Sequence, residues 1–208
     1  MTRINKGAID TLGSVTNDAE EQISFAAPFS VRARLAGTAP LLFHRWSDDA
    51  VEQKRIAPKG SKAKKTDDLD SYVYRCSDGS IGLPGEYVRR SIIEAARYRQ
   101  DPRSPRKSAM DLVKAGLVSL TELASLGSQE WDYLDRRRVQ VQRNAITRIR
   151  PAFHVGWEIT VELQVLLPEY ISPQMLHDLL TQAGKLIGVG DFRPTFGRFA
   201  VMAFELSD

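Results

Sequence analysis

An α+β domain built around an antiparallel sheet, in the chain order strand, helix, strand, strand, helix, strand, is what this sequence predicts. Three observations carry that expectation. "VGWEITVELQV" (155–165) alternates apolar and polar residues without a break, as a half-buried strand does. The segments 84–99 and 172–187 repeat their apolar residues every three or four positions, as helices facing a core do. The chain closes on an apolar strand pattern, "RFAVMAFEL" (198–206).

The elements follow in order. Residues 1–26 are polar and aperiodic and form an N-terminal arm, flexible or partner-bound, before a single domain over 27–208. "FSVRARL" sets Phe29, Val31, Ala33 and Leu35 on one face of a strand and Ser30, Arg32 and Arg34 on the other. "AGTAPLLFHRW" leads out of it. An insertion at about 47–72 is polar and centred on "PKGSKAKK", with Lys62, Lys64 and Lys65. Its composition suits a solvated loop or a nucleic-acid-contacting finger equally.

Order returns at Tyr72 and Tyr74, which alternate with Val73 and Arg75. Asp78-Gly79 is a turn signal, and Ile81 and Leu83 form a short run. Pro84-Gly85 opens a helix whose Val88, Ile92 and Ala96 share one face, with Arg89, Arg90, Arg97 and Arg99 directed outward or sideways. A second insertion spans about 100–135. It begins with the basic loop "QDPRSPRKSAM", and its segment 109–126 suits either a helix or an extended pair.

"DRRRVQVQRNAITRIRPAF" (135–153) is a strand or a hairpin with a cationic face carrying Arg136, Arg137, Arg138, Arg143, Arg148 and Arg150. In the long strand, Val155, Trp157, Ile159, Val161, Leu163 and Val165 face the core. Ser172 and Pro173 cap a helix with an apolar stripe of Leu176, Leu179, Leu180, Ala183 and Ile187, stopped at Gly188. The layout is ferredoxin-like (RRM-like) βαββαβ: an antiparallel sheet with both helices on one face and long basic loop insertions. A sheet of this kind with its other face open is a common frame of single-stranded RNA binders.

Composition narrows the function classes. The chain has 208 residues, 42% hydrophobic and 26% charged, and its apolar runs are far too short to span a membrane. The N-terminal stretch lacks the apolar core of a signal peptide. Cys76 stands alone, so no internal disulfide forms, and a reducing cytoplasm is the expected location. The net charge of +3 is small, so the distribution of cations matters more than their total. His44, His154 and His177 lack metal-ligand spacing, and "GVG" follows a helix pattern rather than a strand, so neither a metal nor a nucleotide cofactor is expected.

Two stretches carry the candidate chemistry. In "GKLIGVGDFRPTFGRFAV" (184–201), Gly184, Gly188, Gly190 and Gly197 permit positive φ and a close approach to a ligand. Arg193 and Arg198 would pair with phosphates, free amides would add donors, and Phe192 and Phe196 would stack on bases. Alternatively, the glycines turn a tight helix-to-strand corner and both phenylalanines are core. The arginines of 136–150 form the second stretch, since like charges side by side on a sheet repel unless an anion lies over them.

Three segments resemble the superfamily of repeat-associated mysterious proteins (RAMP). "VRARLAGTAPLLFHR" resembles its first strand and the turn "G-x-(S/T)-P-L-L". "IGLPGEYVRRSIIEAAR" is similar to its "I-P-G-S-S" helix start, with Glu86 and Tyr87 in place of the small serines and Ser91 in place of a glycine. "GKLIGVGDFRPTFGRFAV" resembles its "G-G-x-x-x-x-G-F-G-R" loop, with Asp191 and Pro194 inside it. The resemblance covers about residues 29–45, 80–99 and 157–205. It implies a divergent, stand-alone relative of CRISPR effector backbones, of the sort a phage or mobile element carries, in which the glycine loop packs against guide RNA.

The expectation is non-enzymatic binding of single-stranded RNA, or DNA, through Gly188, Gly190, Arg193, Gly197, Arg198, the arginine strand and the Lys-rich loop. Self-association along the strand and CRISPR-type or phage partner proteins are part of it. One alternative the resemblance implies is a metal-independent endoribonuclease using His44 with a nearby lysine or tyrosine; separately, Asp48 and Asp49 just beyond it would serve target-RNA cleavage in a loop. Another is a protein-interaction decoy that blocks a host defence complex.

Overall fold

Alternation in the sequence becomes one-sided burial in the structure. The computed structural model describes residues 27–45, 68–141 and 144–207, together with Glu52, Arg55, Ile56 and Pro58; side chains of 139–146 fall outside the description. The main sheet is four-stranded and wholly antiparallel. Strand β1 (Phe29–Gly37) lies between β11 (Glu158–Val165) and β12 (Phe199–Ser207), and β7 (Leu117–Ser119) borders β11, giving the order β12-β1-β11-β7. Val31, Ala33 and Leu35 sit opposite Leu163, Val161 and Ile159, and all six are buried.

Two helices share the core with those side chains. Helix α1 (Gly85–Ala95) buries Val88, Ile92 and Ala95, and α3 (Pro173–Leu186) buries Leu176, Leu179, Leu180 and Ala183. Each large aliphatic side chain so enclosed contributes about 1.5–3 kcal/mol relative to exposure. Ser172 caps α3 by accepting the Met175 amide, and the positive φ of Gly188 ends the turn after it. Gly184 has no positive φ. A Cβ there would lie 2.2 Å from the Phe199 carbonyl oxygen, so its role is to let α3 approach β12. No helix among the described residues is long and apolar enough to cross a membrane.

Three smaller sheets hang from this body. Strand β2 (Leu41–Leu42) pairs with β10 (Asn144–Phe153), which pairs with β9 (Tyr133–Val141). Strand β4 (Ile81–Pro84) joins β3 (Tyr74–Arg75) to β8 (Leu123–Ser125), and β5 (Gln100–Asp101) and β6 (Ser104–Ser108) form a hairpin. The short helix α2 (Met110–Gly116) precedes β7.

Several expectations change. The arginine-rich segment 135–153 is a hairpin, but it does not enter the main sheet; the three residues of β7, from the undecided 109–126 segment, take the place beside β11. The physical reason is charge: β9 and β10 carry arginine on both faces, whereas the apolar Leu117 can be buried completely. The second insertion is accordingly structured, holding β5, β6, α2, β7 and β8. Val155 leaves the core face and is exposed, because Gly156, at φ 96, turns the chain before β11 begins. Tyr72 belongs to a short 3-10 turn rather than a strand.

The open face of the main sheet holds no aromatic ring among the described residues. Arg32 lies opposite Glu162 on one side and Glu205 on the other, and Arg34 is 3.6 Å from Glu158. A stacking platform of the RRM type is therefore not written there.

Candidate nucleic-acid interface

The glycine-rich segment folds back on its own chain. Gly188, Gly190 and Gly197 all have positive φ, as does Phe192 at 60°. A Cβ on Gly197 would lie 1.7 Å from the Val189 carbonyl oxygen, and one on Gly190 would lie 2.7 Å from that of Leu42. The amides of Val189, Asp191 and Gly197 donate to Gly197, Leu42 and Pro40, at 2.9, 2.9 and 2.8 Å. Those three amides close the loop on itself and on the chain at Pro40 and Leu42, so they are not offered outward.

The side chains do converge. Residues Asp135, Arg137, Arg148 and Arg150 lie on the same face of the β9–β10 hairpin, Arg137 opposite Arg148 and Asp135 opposite Arg150. Arg137 bonds the buried Asp135 at 2.8 Å and sits 4.5 Å from the ring centre of Phe196. Arg150, only 3% exposed, donates to Asp191 and lies 5.8 Å from the ring centre of Phe192. The two phenylalanines part company: Phe196 is 6% exposed and packs with Leu42 and Ala152, while Phe192 is 43% exposed. Arg136 and Arg138 occupy the other hairpin face and are exposed, so the expected single cationic face is divided between two.

Behind the loop lies a cleft of ≈ 260 Å³ between α1, β3 and the chain leaving β2. Its floor includes Tyr74 and Tyr87, whose hydroxyls are 2.8 Å apart and whose rings stand perpendicular. Burial first, then the hydrogen bond with Tyr74, holds the Tyr87 phenol above its ordinary range, so it remains protonated. Arg45 lies 4.9 Å over the Tyr74 ring, Arg193 meets Glu94 at 3.4 Å, and Arg90 makes no ion pair among the described residues. His44 also lines the cleft, its Nε2 3.0 Å from the Arg148 guanidinium and its ring edge-on to Tyr72 at 4.5 Å. An arginine can only donate, so Nε2 accepts and the ring proton belongs on Nδ1.

Of the expected site residues, the structure brings Gly188, Gly190, Arg193, Gly197, Arg137, Arg148 and His44 around β2 and its neighbours. Arg198 is exposed at the loop's exit, where its carbonyl accepts from Thr38 and Ala39. Lys62, Lys64, Lys65, Arg143, Asp48 and Asp49 lie outside the described residues. Arg45, Tyr74, Tyr87, Arg90 and Glu94 were not singled out as site residues from sequence. Only their assembly from three separate segments identifies them, and "PGEYVRR" alone carries no such signal. His154 stacks on Tyr133 and His177 packs against Phe204, far from any ligand set, and no group of three or more potential metal-ligating side chains occurs among the described residues.

Compared with protein-family models and with curated proteins, the chain matches none.

Proposed function

We propose that this chain binds single-stranded nucleic acid without cleaving it, RNA in preference to DNA, on a ferredoxin-like frame of the RAMP type working in the cytoplasm. The order β12-β1-β11-β7, with α1 preceding β7 and α3 preceding β12, supports the ferredoxin-like assignment. One observation carries the binding reading: the exposed Phe192 ring is flanked by the guanidinium groups of Arg137 and Arg150. A half-open ring held beside fixed cations suits a base on the ring and its phosphate on the more exposed Arg137. Exposed Arg136, Arg138 and Arg198, none with an acidic partner among the described residues, extend the attraction along the backbone. Side-by-side assembly along one strand belongs to the same reading.

The test is fluorescence anisotropy with labelled single-stranded RNA, single-stranded DNA and duplex DNA across a salt series. Phe192→Ala and Arg138→Ala should each weaken single-strand binding, the arginine variant also flattening the salt dependence. Equal and weak binding of all three probes would overturn the proposal.

A second reading has an observation of its own. His44, Tyr74, Tyr87, Arg45 and Arg90 line one cleft, a set able to move protons and hold a phosphate without metal. On that reading the bound RNA is cut, and His44→Ala abolishes cleavage while leaving affinity intact. Intact RNA on a denaturing gel after prolonged incubation rejects it.

A further inference from the structure

The geometry points to the cleft behind the glycine loop as a guanine pocket, reading one base of a bound strand through the carboxylates of Glu94 and Asp191. This deepens the nucleic-acid proposal and rests on it. The cleft's ≈ 260 Å³ is lined on one side by the tyrosine pair and Arg45, and on others by Glu94 and Asp191. Flat surfaces are therefore present: the Tyr74 ring, with the Arg45 guanidinium over it, and the Tyr87 ring at right angles. A base removed from its stack needs such surfaces, and it is then read on its hydrogen-bonding edge.

The polar groups decide which base. Glu94 Oε2 meets Arg193 and Asp191 Oδ2 meets Arg150; the second oxygen of each carboxylate accepts no hydrogen bond among the described residues. A carboxylate offers acceptors only. Guanine presents two adjacent donors, N1–H and the 2-amino group, which a carboxylate accepts together. Adenine and cytosine set a ring acceptor beside their amino donor, and uracil flanks its single donor with two carbonyls, so each would turn a lone pair toward the acid. A site built to accept from a ligand's donors rejects analogues that lack them. Arg90 and Arg45, both exposed at the cleft, are available to the attached phosphate.

The experiment uses the full chain and nine-nucleotide oligouridines carrying guanine, adenine, cytosine, uracil or hypoxanthine at the centre. The guanine strand should bind about tenfold tighter than the adenine, cytosine and uracil strands, with hypoxanthine between them for want of the 2-amino group. Glu94→Gln should bring the guanine-to-uracil affinity ratio close to one. Guanosine monophosphate as competitor separates two sources of the same base: displacement of the guanine strand at micromolar concentration assigns the pocket to a free nucleotide, and resistance to it assigns a base held in a strand. Equal binding of all five strands would overturn the guanine assignment and leave the nucleic-acid reading standing. Equal weakening of every strand by Glu94→Gln would also overturn it, by showing that Glu94 only positions Arg193. Failure of every strand to bind would bring down both.

Discussion

Arg137 and Arg148 face each other directly across the β9–β10 hairpin, two cations in register with no acid between them. Each finds relief elsewhere, Arg137 in Asp135 and the Phe196 ring, Arg148 in the imidazole of His44. Like charges so placed cost stability, and an anion above them would remove the cost. Arg148→Gln should therefore leave the free protein as stable or more stable by up to about 1 kcal/mol at low salt. The same variant should bind single-stranded RNA several-fold more weakly and lower the salt slope by about 0.7. Thermal melts and anisotropy on one preparation check both halves, and a destabilised variant would mark Arg148 as a structural residue instead.

The glycine loop makes a prediction about fold rather than binding. Alanine at Gly197 would meet the Val189 carbonyl at an impossible distance, and the backbone there is left-handed. Gly197→Ala should cost about 2–4 kcal/mol in urea unfolding, from strain and crowding combined. Gly156→Ala shares the positive φ but has nothing within 4 Å of the added methyl, so it should cost only about 1–2 kcal/mol.

The open face of the main sheet supplies a negative prediction. Arg32 stands between Glu162 and Glu205, so its charge is locally offset. Arg32→Ala should change RNA affinity by less than about twofold, whereas Arg138→Ala should lower it about fivefold. Parallel titrations of the two variants decide it; a large Arg32 effect would move the interface to the sheet.

Acid should loosen the β5–β6 hairpin. The side chain and amide of Arg103 hold the Asp101 carboxyl down from its ordinary 3.8 to about 2. A carboxyl depressed in the folded state stabilises fully above its unfolded value and loses that contribution as pH falls through the folded one. The hairpin should stay intact above about pH 4 and weaken between there and pH 2. Carboxyl-carbon NMR reads this directly, and Asp101→Asn should remove the acid-dependent step.

Legibility in the sequence followed the range of the interactions. Strands β1 and β11 and helices α1 and α3 were visible because alternation and helical periodicity are written in contiguous residues. Strand β7 was not, because "LVS" is three residues whose strand character exists only beside β11. The arginines of 136–150 were visible as a cluster, but their division between two faces depends on hairpin register. His44 and Arg148 are separated by 104 positions, and Tyr74 and Tyr87 meet across a turn and a strand. No local pattern encodes such meetings. The glycines were visible too, and the alternative of a tight structural corner accounts for their geometry, since their conformational freedom closes the loop on β2.

That closure has a consequence for time as well as shape. A segment so rich in glycine would ordinarily be the first to open and trade its amide protons with solvent. Here Val189, Asp191 and Gly197 donate to fixed carbonyls, and Thr38 and Ala39 return bonds to Arg198, so loop and strand exit are laced together at both ends. Their deuterium uptake should follow the slow amides of β1 rather than those of the surface turns. A partner arriving at Phe192 would then meet a ring already in position, and its capture would require little ordering of the loop.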